Sequence, residues 1–176
     1  MRIRKATQQD IPAVAAIYEA VHTQEEQGQL VIGWARDVYP TAATAQAALD
    51  RDDLFVQEEN GTVTGAAVIN QQQVDCYADG KWQYPAAEEQ VMVLHTLVID
   101  PRAARRGLGR QFVQFYEEYA LKNGCPYLRM DTNARNANAR ALYQKLGYAE
   151  VDIVPCVFNG IAGVQLVLLE KHLKEA

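Results

Sequence analysis

The chain has 176 residues, 49% of them hydrophobic, enough for one compact domain that buries its core without covalent staples. Its 17 basic and 22 acidic side chains leave a formal charge of −5, which argues against a broad nucleic-acid footprint but leaves room for a local basic cluster. Cys76, Cys125 and Cys156 lie far apart, with no C-x-x-C pair and no neighbouring histidine, so neither a disulfide scaffold nor a metal site is expected.

The opening MRIRKATQQD carries charge where a secretory signal needs an apolar stretch, and no run approaches the roughly 20 apolar residues of a membrane span. A cytoplasmic chain without a membrane partner is expected. Arg2 to Lys5 reads as a short strand, and Thr7 with Asp10 three residues later approximates a capping box. The helix it opens carries the stripe Ile11, Val14, Ala15, Tyr18 and Val21 and ends near Gly28. Residues 28–43 are irregular, Thr44 to Asp50 returns to helical spacing, and a hairpin follows: Leu54 to Gln57, a turn at Glu59-Asn60-Gly61, then Val63 to Ile69.

From Gln71 to Gln90 the chain is polar and irregular, a candidate substrate-facing excursion. Val91 to Ile99 is a nearly continuous apolar run, as in a central strand buried on both faces. A helix from about Leu108 to Asn123 places Leu108, Phe112, Phe115 and Tyr119 on one face and stops at Gly124 and Pro126. A strand from Tyr127 to Asp131, a helix from Asn136 to Leu146 stopped by Gly147, and strands at Val151 to Phe158 and Val164 to Glu170 complete the order. An α/β class follows, with all 176 residues read as one domain.

The segment LVIDPRAARRGLGRQFV, residues 97–113, holds the densest chemical signal. A buried strand ends, a Gly-Leu-Gly turn flanked by Arg105, Arg106 and Arg110 follows, and an amphipathic helix begins. Such a turn exposes backbone N–H groups at a helix N-terminus, where unpaired donors and the helix dipole favour an anion. Glycine lets the ligand approach without a Cβ in its way. An ordinary strand-to-helix turn would also carry Gly-x-Gly, but four arginines within nine residues of an acidic chain favour a diphosphate. Phe112 stands where the dinucleotide fingerprint needs its third glycine, and no Gly-Lys-Ser/Thr occurs, so coenzyme A is the remaining common diphosphate ligand.

On these residues the chain resembles the GCN5-related N-acetyltransferase (GNAT) family, whose cofactor loop reads Gln/Arg-x-x-Gly-x-Gly/Ala. Gly107 and Gly109 match, while Ala104 departs from Gln/Arg. The stretch DTNARNANARALYQKLGYAEV, residues 131–151, resembles the family's second signature through Asn136, Ala139, Leu142, Tyr143, Gly147 and Tyr148. The resemblance implies a mixed, mostly antiparallel sheet of about seven strands flanked by helices, with a splayed strand pair holding acetyl-CoA. It implies further that the backbone of Leu97, Val98 and Ile99 binds the thioester and pantetheine arm, and that Arg105, Arg106, Gly107, Leu108, Gly109 and Arg110 cradle the pyrophosphate. Asn136 and Ala139 would contact the pantetheine region, unless Asn136 only caps its helix.

Tyr143 is the family's expected general acid, although it also lies on the apolar stripe Ala139, Leu142, Leu146 as a core tyrosine would. The acceptor amine must shed a proton before it attacks. His95, in strand alternation with Val93 and Leu97, is the first candidate base, or else a satisfied structural histidine; Glu88, Glu89 and Asp131 are weaker ones. Trp34, Tyr39, Trp82 and Tyr84 fall in the irregular segments able to line an acceptor pocket, where Glu88 and Glu89 could attract a cation. The expected activity is acetyl transfer to a primary amine of a small molecule or peptide by direct attack, without a metal and without a cysteine intermediate. A non-catalytic acyl-CoA-binding module and an ADP-binding protein are the alternatives, and a homodimer is common on this fold.

Overall fold

The computed structural model describes residues 1–174. Seven strands form one sheet: β1 (Arg2–Lys5), β2 (Leu54–Glu59), β3 (Thr62–Asn70), β4 (Val91–Ile99), β5 (Tyr127–Asn133), β6 (Ala149–Phe158) and β7 (Ile161–His172). Their order is β1-β2-β3-β4-β5-β7-β6, antiparallel throughout except for the parallel pair β4–β5. The helices are α1 (Ile11–Glu26), α2 (Ala42–Asp50), α3 (Leu108–Lys122) and α4 (Ala137–Lys145).

Local chemistry explains most boundaries. The Thr7 hydroxyl and backbone N–H both donate to Asp10 Oδ2, at 2.9 and 2.8 Å, and Arg4 clamps the same carboxylate. Asn60 and Gly61 both sit at positive φ, 51° and 76°, which is what a two-residue turn between right-twisted strands requires. The loop between α1 and α2 is ordered by one side chain: the Glu25 carboxylate accepts the backbone N–H groups of Ile32, Gly33 and Trp34.

The core lies on both faces of the sheet. On one face α3 packs Phe112, Val113, Tyr116 and Ala120 onto Met92, Leu94, Leu128 and Met130. This corrects the helix stripe read from sequence, since Phe115 and Tyr119 sit on its flank against Phe55 while Val113 and Tyr116 are fully buried. On the other face Val14, Ile17 and Tyr18 of α1 cover Leu54, Val56, Ala66, Val68 and Val98. The helices leave the far half of that face uncovered, and the irregular segment closes it, Tyr77 packing on Val91, Val93, Val154, Leu166 and Leu168. Burying each such large side chain contributes about 1.5–3 kcal/mol, so this polar-looking segment is held by its own apolar anchors. Among the described residues no helix is long and apolar enough to cross a membrane.

Candidate active site

The site grows from two irregularities in β4. Its pairing with β5 runs from Val91↔Tyr127 to Leu94↔Met130 and stops, although both strands continue, so the strands part and residues 95–99 lose their partner on that edge. On the other edge Val68 pairs with His95 and Ala66 with Val98, so Ala67 alone stands against Thr96 and Leu97, a bulge that holds Thr96 at φ 51°. A β-branched residue in the left-handed region is strained, and such strain persists where the surroundings impose it, often at functional positions.

The bulge overturns one expectation. Alternation would put His95 and Leu97 on one face, but the extra residue reverses the phase. Leu97 and Ile99 pack with the α3 cluster, whereas Val93 lies in the cluster on the opposite face. His95 therefore lines a different cavity from Leu97.

Two cavities meet at the bulge. The smaller, of about 100 Å³, occupies the gap between β4 and β5 and is lined by Leu97, Asp131, Asn136, Ala139 and Tyr143, with Trp34 over it. The larger, of about 650 Å³, opens on the α1–α2 side between Arg51, Asn70, Asp75, Cys76, His95 and Cys156. Tyr39, Thr96 and Phe158 line both. Tyr39 hydrogen bonds Thr96 through their hydroxyls, and its ring stands edge-on to Trp34 and Phe158, so the junction is a rigid aromatic wall.

Three of the titratable groups that face this space bear on acyl-transfer chemistry. Tyr143 is 7% exposed, and burial, helped by the Asp131 charge, pushes its hydroxyl well above the usual phenol range, so it stays protonated. Burial raises the Asp131 carboxyl to about 6, against a smaller lowering by the Tyr77 hydroxyl that donates to it at 2.6 Å. Burial lowers His95 to about 4. Asn70 Nδ2 donates to Asp53, so its Oδ1 accepts from His95 Nε2 at 2.9 Å. That bond assigns a proton to Nε2, and a backbone interaction with Gln72 opposes part of the lowering.

The turn before α3 has the features that a diphosphate needs. Among the described residues, none of the backbone N–H groups of Arg105 to Arg110 has an acceptor. Arg105 and Gly107 adopt positive φ, 65° and 75°, and a Cβ built on Gly107 would meet nothing within 4 Å, so the concavity is open. Not all four arginines are available. Arg102 closes on Asp100 and Arg106 on Glu59, at 2.8 and 2.7 Å, which leaves Arg105 and Arg110 exposed without an ion-pair partner among the described residues.

Other expected site residues separate. Asn136 lines the smaller cavity but spends its Oδ1 as the cap of α4, accepting from Ala139 N–H at 3.1 Å. Trp82 and Tyr84 line neither cavity: Trp82 donates to Tyr77 O and lies under the Arg129 guanidinium, and Tyr84 packs on Tyr127 and His172. Glu88 and Glu89 immediately precede the N-terminal end of β4, away from the bulge. Thr96 and Phe158 escaped the sequence reading because neither carries a local signal; only the bulge and the approach of β6 bring them in. Among the described residues no group of three or more His, Cys, Asp or Glu side chains is placed to hold a metal ion.

Residues 15–148 match the Acetyltransferase (GNAT) family, and the chain belongs to it. Among curated relatives it is 26% identical over 156 residues to the uncharacterised N-acetyltransferase YhfO of Bacillus subtilis, covering 85% of this chain and 91% of that one. It is 37% identical over 60 residues to the ribosomal protein bS18-alanine N-acetyltransferase of Escherichia coli, a match of 34% of this chain and 40% of that protein. The fold superposes on a GNAT acetyltransferase of Streptococcus agalactiae with a TM-score of 0.83 at 23% identity, over 99% and 96% of the two chains. It also superposes on YncA of Salmonella typhimurium, a structure with acetyl-CoA, with a TM-score of 0.68 at 20% identity, over 100% and 95%.

Proposed function

We propose that this chain transfers an acetyl group from acetyl-CoA to a primary amine by direct attack. The observation that carries the reading is the junction of the two cavities at Thr96. One holds the unpaired β4 edge and Tyr143, the other opens to solvent, and an acyl donor and an amine entering from opposite sides would meet there.

Acetyl-CoA supplies an activated acyl group on a sulfur leaving group. The amides of Arg105 to Arg110, with the Arg105 and Arg110 guanidiniums, would hold its diphosphate, and the free edge of Leu97 to Ile99 its pantetheine arm. Backbone N–H groups on that edge are fixed in place by the β3 ladder, so they stabilise negative charge on the carbonyl oxygen without reorganising. Tyr143 presents a protonated hydroxyl to the departing sulfur. Because burial holds it above the leaving thiol, usually about 8.5, its contribution is a hydrogen bond to the developing thiolate more than an early, complete proton transfer.

The amine proton needs an acceptor, and two groups compete. His95, at about 4, is some two units weaker as a base than Asp131, at about 6, relative to an amine near 10.4. We assign proton removal to Asp131, directly or through a water, and leave His95, held by Asn70, as a wall of the larger cavity. The relative's name specifies a ribosomal-protein alanine as its acceptor, but the match covers only 34% of this chain. The acceptor here is kept as an amine of a small molecule or peptide. The test is calorimetric titration with acetyl-CoA, ADP and NAD, followed by thiol release against a panel of amines. Binding of acetyl-CoA with amine-dependent thiol release is expected. Binding without release under any amine would make the chain a passive acyl-CoA module, and indifference to acetyl-CoA would remove the loop assignment.

A further inference from the structure

We propose that Cys76 and Cys156 form a reversible disulfide in the wall of the larger cavity when a small-molecule disulfide oxidises them. The two are distant in sequence, Cys76 on the short 3-10 turn Asp75–Asp79 and Cys156 on β6, yet both line the same open cavity and pack on the same apolar cluster. The turn that carries Cys76 packs directly against β6, and both thiols are free. Cys125 is buried on the opposite face of the sheet, in the α3 cluster. The pair therefore has the two elements that thiol oxidation requires: access for an oxidant through an opening of about 650 Å³, and a second thiol close by to resolve the adduct.

The chemistry balances with an external disulfide, RSSR. The Cys156 sulfur, as thiolate, attacks one sulfur of RSSR, expelling RS⁻ and forming a mixed disulfide. The Cys76 thiol, which burial pushes up to about 12, then loses its proton to solvent as it displaces the second RS⁻. The products are the Cys76–Cys156 bridge and two RSH, and excess thiol reverses both steps. A transient bridge of this kind suits the reducing interior of a cell, where protein disulfides serve as sensors more than as staples.

The placement gives the bridge a consequence. Tyr77, which follows Cys76, holds the Asp131 carboxyl at 2.6 Å, and Phe158, two residues beyond Cys156, forms part of the junction between the cavities. Tying the turn to β6 would narrow the mouth of the larger cavity and fix Tyr77. This effect on turnover rests on the proposed acetyl transfer; the bridge itself does not.

The experiment treats the full chain with oxidised glutathione, then denatures and alkylates it for intact mass and non-reduced peptide mapping. The expected product is two hydrogens lighter than the reduced chain, takes one alkyl label, on Cys125, and yields a Cys76–Cys156 linked peptide. Cys125→Ser should still form the bridge, whereas Cys156→Ser should form none. Three labels after oxidation, glutathione adducts without closure, or a bridge that includes Cys125 would each overturn the proposal. These readouts need no activity, so they stand or fall separately from the enzyme assignment. If acetyl transfer is also found, the oxidised chain should be at least several-fold slower and recover with dithiothreitol.

Discussion

The Tyr77 hydroxyl donates to Asp131 Oδ2 at 2.6 Å across 54 positions of the chain, and in doing so it ties the irregular segment to the strand that parts from β4. Asp131 nevertheless titrates high, at about 6 against 3.8, because burial outweighs that one hydrogen bond. A carboxyl raised on folding adds stability that is complete below its unfolded value and is lost as pH rises through the folded one. The loss here falls between about pH 4 and 6 and amounts to about 3 kcal/mol as an upper bound, two units at about 1.4 each. Asp131→Asn should flatten that part of the stability profile, read as thermal midpoints across pH 4–8. An unchanged profile would mean that Asp131 is solvated.

If Asp131 takes the amine proton, kcat at saturating substrates should rise with pH through about 6, and Asp131→Asn should remove that limb and lower kcat by roughly 10². A limb near 4 that disappears in His95→Gln would transfer the role to His95, whose ring titrates there.

Tyr143→Phe keeps the ring that packs beside Tyr148 in the α3 cluster and removes only the hydroxyl. Turnover should fall by roughly 10² or more while acetyl-CoA affinity, measured by calorimetry, stays within about twofold. Equal turnover would leave Tyr143 as a core residue alone.

Gly107→Val tests the cradle. At φ 75° a side chain costs about 1–2 kcal/mol of fold stability, but the added atoms meet open space in the chain itself. The larger effect should appear in binding, with acetyl-CoA affinity falling at least tenfold, about 1.4 kcal/mol, at a modest loss in thermal midpoint.

The arginines should separate by their ion pairs. Arg110→Ala and Arg105→Ala should each weaken acetyl-CoA binding several-fold, more at low salt than at high, because these guanidiniums have no carboxylate partner among the described residues. Arg106→Ala should cost less, since its guanidinium is already held by Glu59 at 2.7 Å. Titration calorimetry at two ionic strengths reads both.

Much of this was legible in the chain because its signals are local. The central run from Val91 to Ile99, the Asn60-Gly61 turn, the capping of Asp10 and Asn136, and the Gly107 turn each depend on residues within a few positions of one another. Strand ends moved by one to three residues, as at β7, which begins at Ile161 and not at Val164. Trp82 and Tyr84 show the limit: aromatic residues in an irregular segment look alike in sequence whether they line a pocket or pack under Arg129 and against His172.

By itself the sequence determined the order of elements, the buried stripe of α1 and the open amides at the start of α3, since periodicity and glycine conformations are set by neighbours along the chain. Only the tertiary structure decided that β4 bulges at Thr96, that His95 and Leu97 face different cavities, that burial raises the Asp131 carboxyl and lowers His95, and that Cys76 and Cys156 line one cavity. Each of these depends on partners tens of residues away, and on the burial that those partners impose.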